Sequence, residues 1–140
     1  MSGKLILILE DNEDRIRNFQ NAVKSLGENF PTRFWFEAPK MIANLPSVLN
    51  QAGLISLDHD LNLQPNVTKD PDTGLEVAEF LAKQSPICPV LIHSTNYEKA
   101  WSMYNELRFA GWQVDRVGPI GDGWEQCLWL PKVKSMLNIV

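Results

Sequence analysis

The segment LISLDHDL, residues 54–61, contains a mostly apolar run followed at once by three polar residues that can bind metals or carry protons. Its first residues, together with Gly53, are typical of a strand that is buried on both faces of a parallel sheet. A buried strand has no structural need for Asp58, His59 and Asp60 in succession. The sequence therefore predicts that a strand over residues 53–57 ends at a polar site.

Four further runs predict strands, and stripes of apolar residues at helical spacing separate them. The predicted strands cover residues 4–9, 32–36, 89–92 and 112–117. Five alternations of strand and helix indicate an α/β fold, a five-stranded parallel sheet flanked by helices on both faces. At 140 residues the chain is expected to form a single domain, residues 1–140.

Several residues predict where the helices begin, end or bend. Pro39 suits the first turn of the second helix, which is expected to be short, kinked or split at Pro46. The C-terminal helix is expected to be interrupted or bent near Pro131. Three pairs have the spacing of a capping box at a helix start, namely Thr73 with Glu76, Thr95 with Glu98, and Asp122 with Glu125.

Composition and charge exclude several classes of function. A formal charge of −4 argues against a broad nucleic-acid-binding surface, and no apolar run approaches the roughly 20 residues that span a bilayer. The N-terminal apolar stretch is too short for a secretory signal, so we expect a cytoplasmic protein. Cys88 and Cys127 lack the spacing of a metal motif and are expected to be reduced, buried thiols.

Polar or glycine-rich segments follow four of the predicted strands, at residues 10–14, 58–60, 93–96 and 118–123. The carboxyl ends of parallel strands meet at one edge of the sheet, where ligands of such folds bind. Both histidines of the chain, His59 and His93, fall in these segments. Random scatter over the chain would rarely produce this coincidence, so it indicates a functional site at that edge.

Carboxylates that converge on one edge repel each other unless a cation neutralises them. Oxygen ligands from Asp11 and Asp58, with Glu10 or Asp60, suit a hard divalent ion, Mg²⁺ first. An imidazole nitrogen from His59 or His93 would extend the choice to Mn²⁺, Fe²⁺ or Zn²⁺. Whether His59 turns toward the same side as its two neighbours depends on where the strand ends, which the sequence leaves open.

Each candidate also has a purely structural explanation. Acids are favoured in the first turn of a helix by its dipole, which accounts for Glu13 and Asp14 and competes for Glu10 and Asp11. Hydroxyl side chains before a helix can act as N-caps. The residues open to such structural explanations are Ser94 and Thr95 as caps, His93 as a core histidine, and Asp60 as a turn residue. The cluster is a better candidate than any single member.

The order of these motifs resembles that of response-regulator receiver domains. The resemblance rests on Glu10-Asp11, on Asp58, on DTGLEV at residues 72–77 and on PVLIHST at residues 89–95. It implies a flavodoxin-like fold with strand order 2-1-3-4-5. It also implies that Asp58 stands at the phosphoacceptor position, that Glu10 and Asp11 stand at the Mg²⁺ ligand positions, and that Ser94 stands at the hydroxyl position.

Two features depart from the usual receiver pattern. Gly118, before Pro119, stands where receivers carry a lysine that contacts the phosphoryl group, which puts ordinary phosphorylation signalling in doubt. The second departure is the set of added polar residues in LDHDL (57–61) and HSTN (93–96), with a longer loop before Asp72. These motifs are most similar to the cyclic-phosphate-processing receiver-like group.

Two functions follow from these observations. The first is a metal-dependent phosphoesterase acting on a small phosphorylated or cyclic-phosphate substrate, with His59 or His93 as general acid or base. Asp58 would then be a metal ligand or a nucleophile, and Ser94, Thr95 and Asn96 would bind phosphate at a helix start. The alternative is a non-enzymatic receiver-like signalling or binding module. Its tryptophans could form the surface for a protein partner, or they could belong to the core.

Overall fold

Five parallel strands form the centre of the computed structural model, which describes residues 4–139; residues 1–3 and 140 of the predicted domain lie outside that range. The strands lie in the order β2-β1-β3-β4-β5, and every neighbouring pair is parallel. The predicted α/β fold and strand order are confirmed. The strands are β1 (Leu5–Leu9), β2 (Thr32–Trp35), β3 (Ala52–Leu57), β4 (Val90–His93) and β5 (Val114–Val117).

Helices cover both faces of the sheet, since β1, β3 and β4 are buried at every position. The helices are α1 (Glu13–Lys24), α2 (Ala38–Val48), α3 (Gly74–Ala82), α4 (Tyr97–Phe109) and α5 (Leu130–Met136). One core cluster joins the sheet to α2, α3 and α4, and a second joins it to α1, α5 and Trp129. Successive strand residues enter opposite clusters, so the side chain at each strand end has a defined face.

One predicted capping box is present, at the start of α3. The Glu76 carboxylate accepts a hydrogen bond from the Thr73 amide at 2.8 Å, and the Thr73 hydroxyl accepts one from the Leu75 amide at 3.3 Å. These bonds satisfy backbone donors that the first turn of a helix leaves without partners. They fix the point at which the loop after Asp58 becomes helix.

The other two predicted capping boxes are wrong. The cap of α4 is Asn96, whose side-chain oxygen accepts a hydrogen bond from the Lys99 amide at 3.2 Å, one residue after the predicted Thr95. Near the C-terminus, the Asp122–Glu125 box is replaced by a π-helical segment, Glu125–Trp129, which starts without a side-chain cap. Spacing alone identified the helix starts to within a few residues, because several neighbouring polar residues can serve as caps.

The prolines interrupt the helices less than the sequence predicted. Helix α2 continues through Pro46 to Val48 before a 3-10 turn, Leu49–Gln51, so of the three predicted outcomes the split at this proline is wrong. Pro46 lies on the exposed side, where water can reach the carbonyl that lacks its amide partner. The predicted irregularity near Pro131 is confirmed, because the π-helical segment changes to α5 immediately before it.

The cysteines and tryptophans divide between core and surface. Both cysteines are free thiols; Cys88 is buried as expected, whereas the expectation that Cys127 is buried is wrong. Trp112, Trp124 and Trp129 are buried, and Trp101 is half exposed. Among residues 4–139, no helix combines the length and apolar character that crossing a membrane requires.

Gly74, the first residue of α3, makes a close approach to the end of β3 possible. Its amide donates a hydrogen bond to the His59 carbonyl at 3.0 Å. A Cβ atom on Gly74 would lie 1.9 Å from the Asp58 carbonyl oxygen and 2.9 Å from Cε of Met103. Any side chain here must therefore push α3 away from the strand end.

We predict that Gly74→Ala lowers the free energy of unfolding by about 3 kcal/mol or more, because backbone atoms cannot move aside as a flexible side chain can. Urea unfolding followed by circular dichroism measures the change. Gly118→Ala is the matched control, because a Cβ there meets its nearest neighbours at an ordinary 3.5 Å. Equal effects of the two substitutions would contradict the close approach.

Candidate functional site

The register of the three central strands aligns the residues that follow them. Leu9 of β1 pairs with Leu57 of β3, and Leu57 pairs with Ile92 of β4. The residues that follow these three strand positions therefore form one row across the carboxyl edge of the sheet. Their side chains all lie on the face covered by α1 and α5. These three residues are Glu10, Asp58 and His93.

Ligand atoms of Glu10, Asp58 and His93 all lie within 4.8 Å of one another. Glu10 and His93 are fully buried, and Asp58 is 5% exposed. The Nε2 atom of His93 lies 3.1 Å from Oε1 of Glu10. Two carboxylates and an imidazole thus lie close together, shielded from solvent, at the predicted edge of the sheet.

The start of α1 holds Glu10 in place. Its Oε2 accepts hydrogen bonds from the amides of Asp11 and Asn12, both at 3.1 Å. One turn later, the guanidinium of Arg15 lies 3.6 Å from Glu10 and 3.7 Å from Asp58. Arg15 therefore partly neutralises both carboxylates from the solvent side, where it also lies over the Trp124 ring.

The site affects its carboxylates unequally. Burial raises the pKa of Asp58 from 3.8 to about 7, and Glu10 adds to the rise, although His93 and Arg15 oppose it. Burial acts on Glu10 in the same direction, but the hydrogen bonds with His93 and the Asn12 amide, together with Arg15, outweigh it, so the pKa of Glu10 is lowered. Burial also raises the pKa of Asp11. Asp58 is therefore the acid whose ionised form most lacks a compensating positive charge.

Aromatic rings and a serine fix the orientation of the His93 ring. Phe19 meets it edge-on with ring centroids 5.0 Å apart, and Trp124 lies 6.1 Å away at an interplanar angle of 30°. Nδ1 of His93 lies 2.7 Å from the Ser56 hydroxyl. His93 is the last residue of β4 rather than the residue after it, as the sequence had suggested. Its structural and functional explanations therefore coincide, since it is a core residue that faces the site.

The other predicted metal ligands lie beside this row. Asp11 accepts a hydrogen bond from the Asn62 amide at 2.6 Å, which ties the long loop to the start of α1. Asp60 contacts Nδ1 of His59 at 2.6 Å, and the His59 carbonyl accepts a hydrogen bond from Gly74 at the start of α3. In the described part of the chain, the grouped ligand atoms include neither histidine 59 nor these two aspartates. His59 therefore lies beside the start of α3 and outside the group that Glu10, Asp58 and His93 form.

The predicted phosphate-binding residues Ser94, Thr95 and Asn96 join β4 to α4. Ser94 is buried and accepts a hydrogen bond from the Asn96 amide at 3.1 Å, whereas Thr95 is exposed. A cavity of about 150 Å³ lies between Ser94, Tyr97, Arg116 and Gly118. A larger cavity, about 520 Å³, lies away from this edge, between the end of α1 and the start of β2.

Sequence reasoning missed four residues that shape the site, namely Arg15, Ser56, Arg116 and Trp129. The signal for Ser56 was present, since it is the one hydroxyl in the apolar run LISL. Its hydroxyl bonds to His93 and also accepts a hydrogen bond from Trp129 Nε1 at 3.0 Å. Arg15, Arg116 and Trp129 could not be found by spacing, because they come from a helix side, another strand and the C-terminal segment.

The fold and this row of polar residues define a receiver domain of the response-regulator type. The structure of the phosphorylated cyanobacterial phytochrome response regulator RcpA superposes on this fold with a TM-score of 0.75 and 18% sequence identity. The match covers 98% of this chain and 95% of the RcpA chain. A CheY-like receiver from Methanospirillum hungatei JF-1 gives the same coverages, with a TM-score of 0.70 and 19% identity. The Mn²⁺-bound form of Rcp1 covers 94% of this chain and 92% of its own, with a TM-score of 0.67 and 20% identity.

The model of the family described as "Cyclic-phosphate processing Receiver domain" matches residues 6–109. The chain belongs to this family, which confirms the resemblance drawn from Glu10-Asp11, Asp58 and the motif after β4. Among curated proteins, none matches the chain in sequence.

The raised pKa of Asp58 predicts how stability depends on pH in metal-free protein. Between about pH 3.8 and about pH 7 the folded state keeps a proton that the unfolded state releases, so the free energy of unfolding falls as pH rises. We expect Asp58→Asn to lack this fall and to exceed wild type by roughly 4 kcal/mol at pH 8, with little difference at pH 4.

Urea unfolding in chelator at a series of pH values measures this difference. Asp122→Asn, at an exposed position, is the control and should follow wild type throughout. A constant difference between Asp58→Asn and wild type from pH 4 to pH 8 would contradict burial of the Asp58 carboxylate.

Proposed function

We propose that this chain is a receiver-type module that binds a divalent cation at Glu10, Asp58 and His93 and a phosphoryl group beside it. The observation that carries the proposal is the grouping of three buried ligand atoms within 4.8 Å. This function is the alternative of the two derived from the sequence. Likeness to receivers along nearly the whole chain supports it better than it supports the phosphoesterase.

The residues fit a divalent cation in charge and chemistry. Two buried carboxylates side by side are costly without a positive charge, and the raised pKa of Asp58 reflects that cost. Carboxylate oxygens alone would suit Mg²⁺, and the imidazole nitrogen of His93 shifts the preference toward Mn²⁺ or Zn²⁺. The structure of Rcp1 in its Mn²⁺-bound form supports a metal at a fold of this kind. When bound, the cation would polarise phosphoryl oxygens and neutralise their charge.

A phosphoryl group has suitable donors at the same edge of the sheet. Ser94 and Arg116 line the adjacent cavity of about 150 Å³, where Ser94 offers a hydroxyl and Arg116 a positive charge. That volume accepts a phosphate and part of a sugar rather than a whole nucleotide. We therefore propose a small phosphorylated ligand, or a phosphoryl group carried on Asp58 itself.

Gly118 occupies the position at which the receiver resemblance would place a lysine beside the phosphoryl group. Arg116 lies two residues earlier, on β5, with its guanidinium 4.2 Å from the centre of the Trp101 ring. We propose that ligand binding at the site changes the contact between Arg116 and Trp101. A protein partner would then recognise the changed surface of α4. Trp101 and Phe109 on that helix are 47% and 85% exposed.

The metal-dependent phosphoesterase is the second candidate. The description of the family as cyclic-phosphate processing supports it, and so does the contact between His93 and Glu10 beside Asp58. Against it, Nδ1 of His93 is committed to Ser56, so Nε2 alone faces the site and cannot serve as both metal ligand and proton carrier. His59 pairs with Asp60 on the side of α3, which separates the two predicted acid–base residues.

Metal binding tests the proposed ligand set. We expect Mn²⁺ to bind the purified protein, and Glu10→Gln, Asp58→Asn and His93→Ala each to weaken binding about 10-fold or more in calorimetric titration. The two amide substitutions remove the negative charge of a ligand, and His93→Ala removes the ligand nitrogen. Asp60→Asn should leave the affinity unchanged, because Asp60 contacts His59 instead.

The Asp60 control separates the two predicted sites. Loss of Mn²⁺ binding in Asp60→Asn, with His93→Ala still binding normally, would assign the cation to the aspartate set expected from the sequence. Thermal unfolding of each variant establishes that a lost affinity does not reflect a lost fold.

Turnover decides between the two candidate functions. We expect no metal-dependent hydrolysis of 2′,3′-cyclic or linear nucleotides with Mg²⁺, Mn²⁺ or Zn²⁺, because the two histidines do not face one site. Phosphate release and chromatography of the nucleotides provide the measurement. Hydrolysis that chelator, Asp58→Asn and His93→Ala each abolish would replace the binding module with the phosphoesterase.

A further inference from the structure

Ser56 is a fully buried hydroxyl in the middle of β3, on the sheet face that carries Glu10, Asp58 and His93. Three groups surround its oxygen. Trp129 Nε1 lies at 3.0 Å, the Leu91 carbonyl at 2.9 Å and His93 Nδ1 at 2.7 Å. In neither proposed function does this serine bind the cation or the phosphoryl group.

Counting protons assigns the direction of each bond. A hydroxyl donates one hydrogen bond and accepts two, an indole N–H donates and a carbonyl accepts. Trp129 therefore donates to Ser56, and Ser56 donates its one proton to Leu91. The remaining lone pair of Ser56 faces Nδ1 of His93, so Nδ1 must carry the proton that bonds to it.

The proton on Nδ1 determines the protonation of the other ring nitrogen, Nε2. With the proton on Nδ1, the neutral ring has its lone pair on Nε2, which faces Oε1 of Glu10 at 3.1 Å. A metal ion bound to both atoms suits two lone pairs that face each other at that distance. A metal ligand of the histidine type requires this same arrangement, a free Nε2 with Nδ1–H bonded elsewhere.

We propose that Ser56 and Trp129 are positioning residues that hold His93 in the Nδ1–H tautomer and so present Nε2 to the cation. The inference rests on the metal site proposed above and extends it to the C-terminal segment, because Trp129 lies beyond residues 6–109 that match the family model. Trp129 is itself held by Phe19, with ring centroids 4.5 Å apart, and Phe19 also packs on His93. The metal ligand and the π-helical segment are thus joined through one hydroxyl.

The direct test is the tautomer of His93 in metal-free protein, read from the ring ¹⁵N shifts at a pH where the ring is neutral. We expect wild type to carry the proton on Nδ1. Ser56→Ala removes the acceptor, so the proton should move to Nε2, where it can donate to Glu10. Ser56→Thr keeps the hydroxyl and should retain the wild-type tautomer.

The second readout is Mn²⁺ affinity by calorimetry. We expect Ser56→Ala to weaken Mn²⁺ binding by roughly 10- to 100-fold, as loss of a hydrogen bond to a ligating histidine does elsewhere. Trp129→Phe removes the N–H donor but keeps an aromatic ring, and it should weaken binding in the same direction. Trp112→Phe is the matched control, because Trp112 also donates a buried hydrogen bond, at 3.0 Å to the Leu81 carbonyl, away from the site.

Each outcome bears on the inference. An Nε2–H tautomer in wild type, or an Nδ1–H tautomer that persists in Ser56→Ala, would overturn it, whatever the metal does. A failure of wild type to bind Mn²⁺ would refute the proposed function alone, since the tautomer is measured without metal. If Ser56→Ala does not fold, the wild-type spectrum still decides the tautomer, and an unchanged Mn²⁺ affinity in Trp129→Phe would overturn the role of Trp129.

Discussion

Two carboxylates buried side by side, those of Glu10 and Asp58, impose the central constraint on this structure. Unpaired charges are expensive to remove from water, so the surrounding chain must supply compensating groups. It does so with the imidazole of His93, the guanidinium of Arg15 and the first amides of α1. Compensation is uneven, which is why burial lifts the pKa of Asp58 while that of Glu10 falls.

The sheet makes this constraint possible, because parallel strands deliver their carboxyl ends to one edge in register. Gly74 lets α3 close against the Asp58 backbone, and Asn62 ties the long loop to Asp11. Both contacts hold the segments that follow β1 and β3 in place, and neither supplies a positive charge to the carboxylates. The rigid frame therefore holds acidic groups together that would otherwise move apart.

Histidine 93 connects this charged row to the core. One ring nitrogen faces Glu10, and the other faces Ser56, which in turn meets Trp129. Through these contacts the second core cluster, formed by α1 and α5 with the sheet, borders directly on the polar site. A continuous series of contacts therefore joins the C-terminal segment to Nε2 of His93.

The sequence by itself determined the parallel α/β fold and the edge of the sheet at which the polar residues gather, because alternating runs and the polar residues after them are local patterns. LDHDL and the histidine after PVLI were enough to predict that Asp58 and His93 meet at one edge. Spacing could not decide that His59 and Asp60 pair with each other, since that depends on where β3 ends and on the approach of α3. Arg15, Ser56 and Trp129 joined the site only through tertiary structure, because their contacts come from helix packing and from strand register across distant parts of the chain.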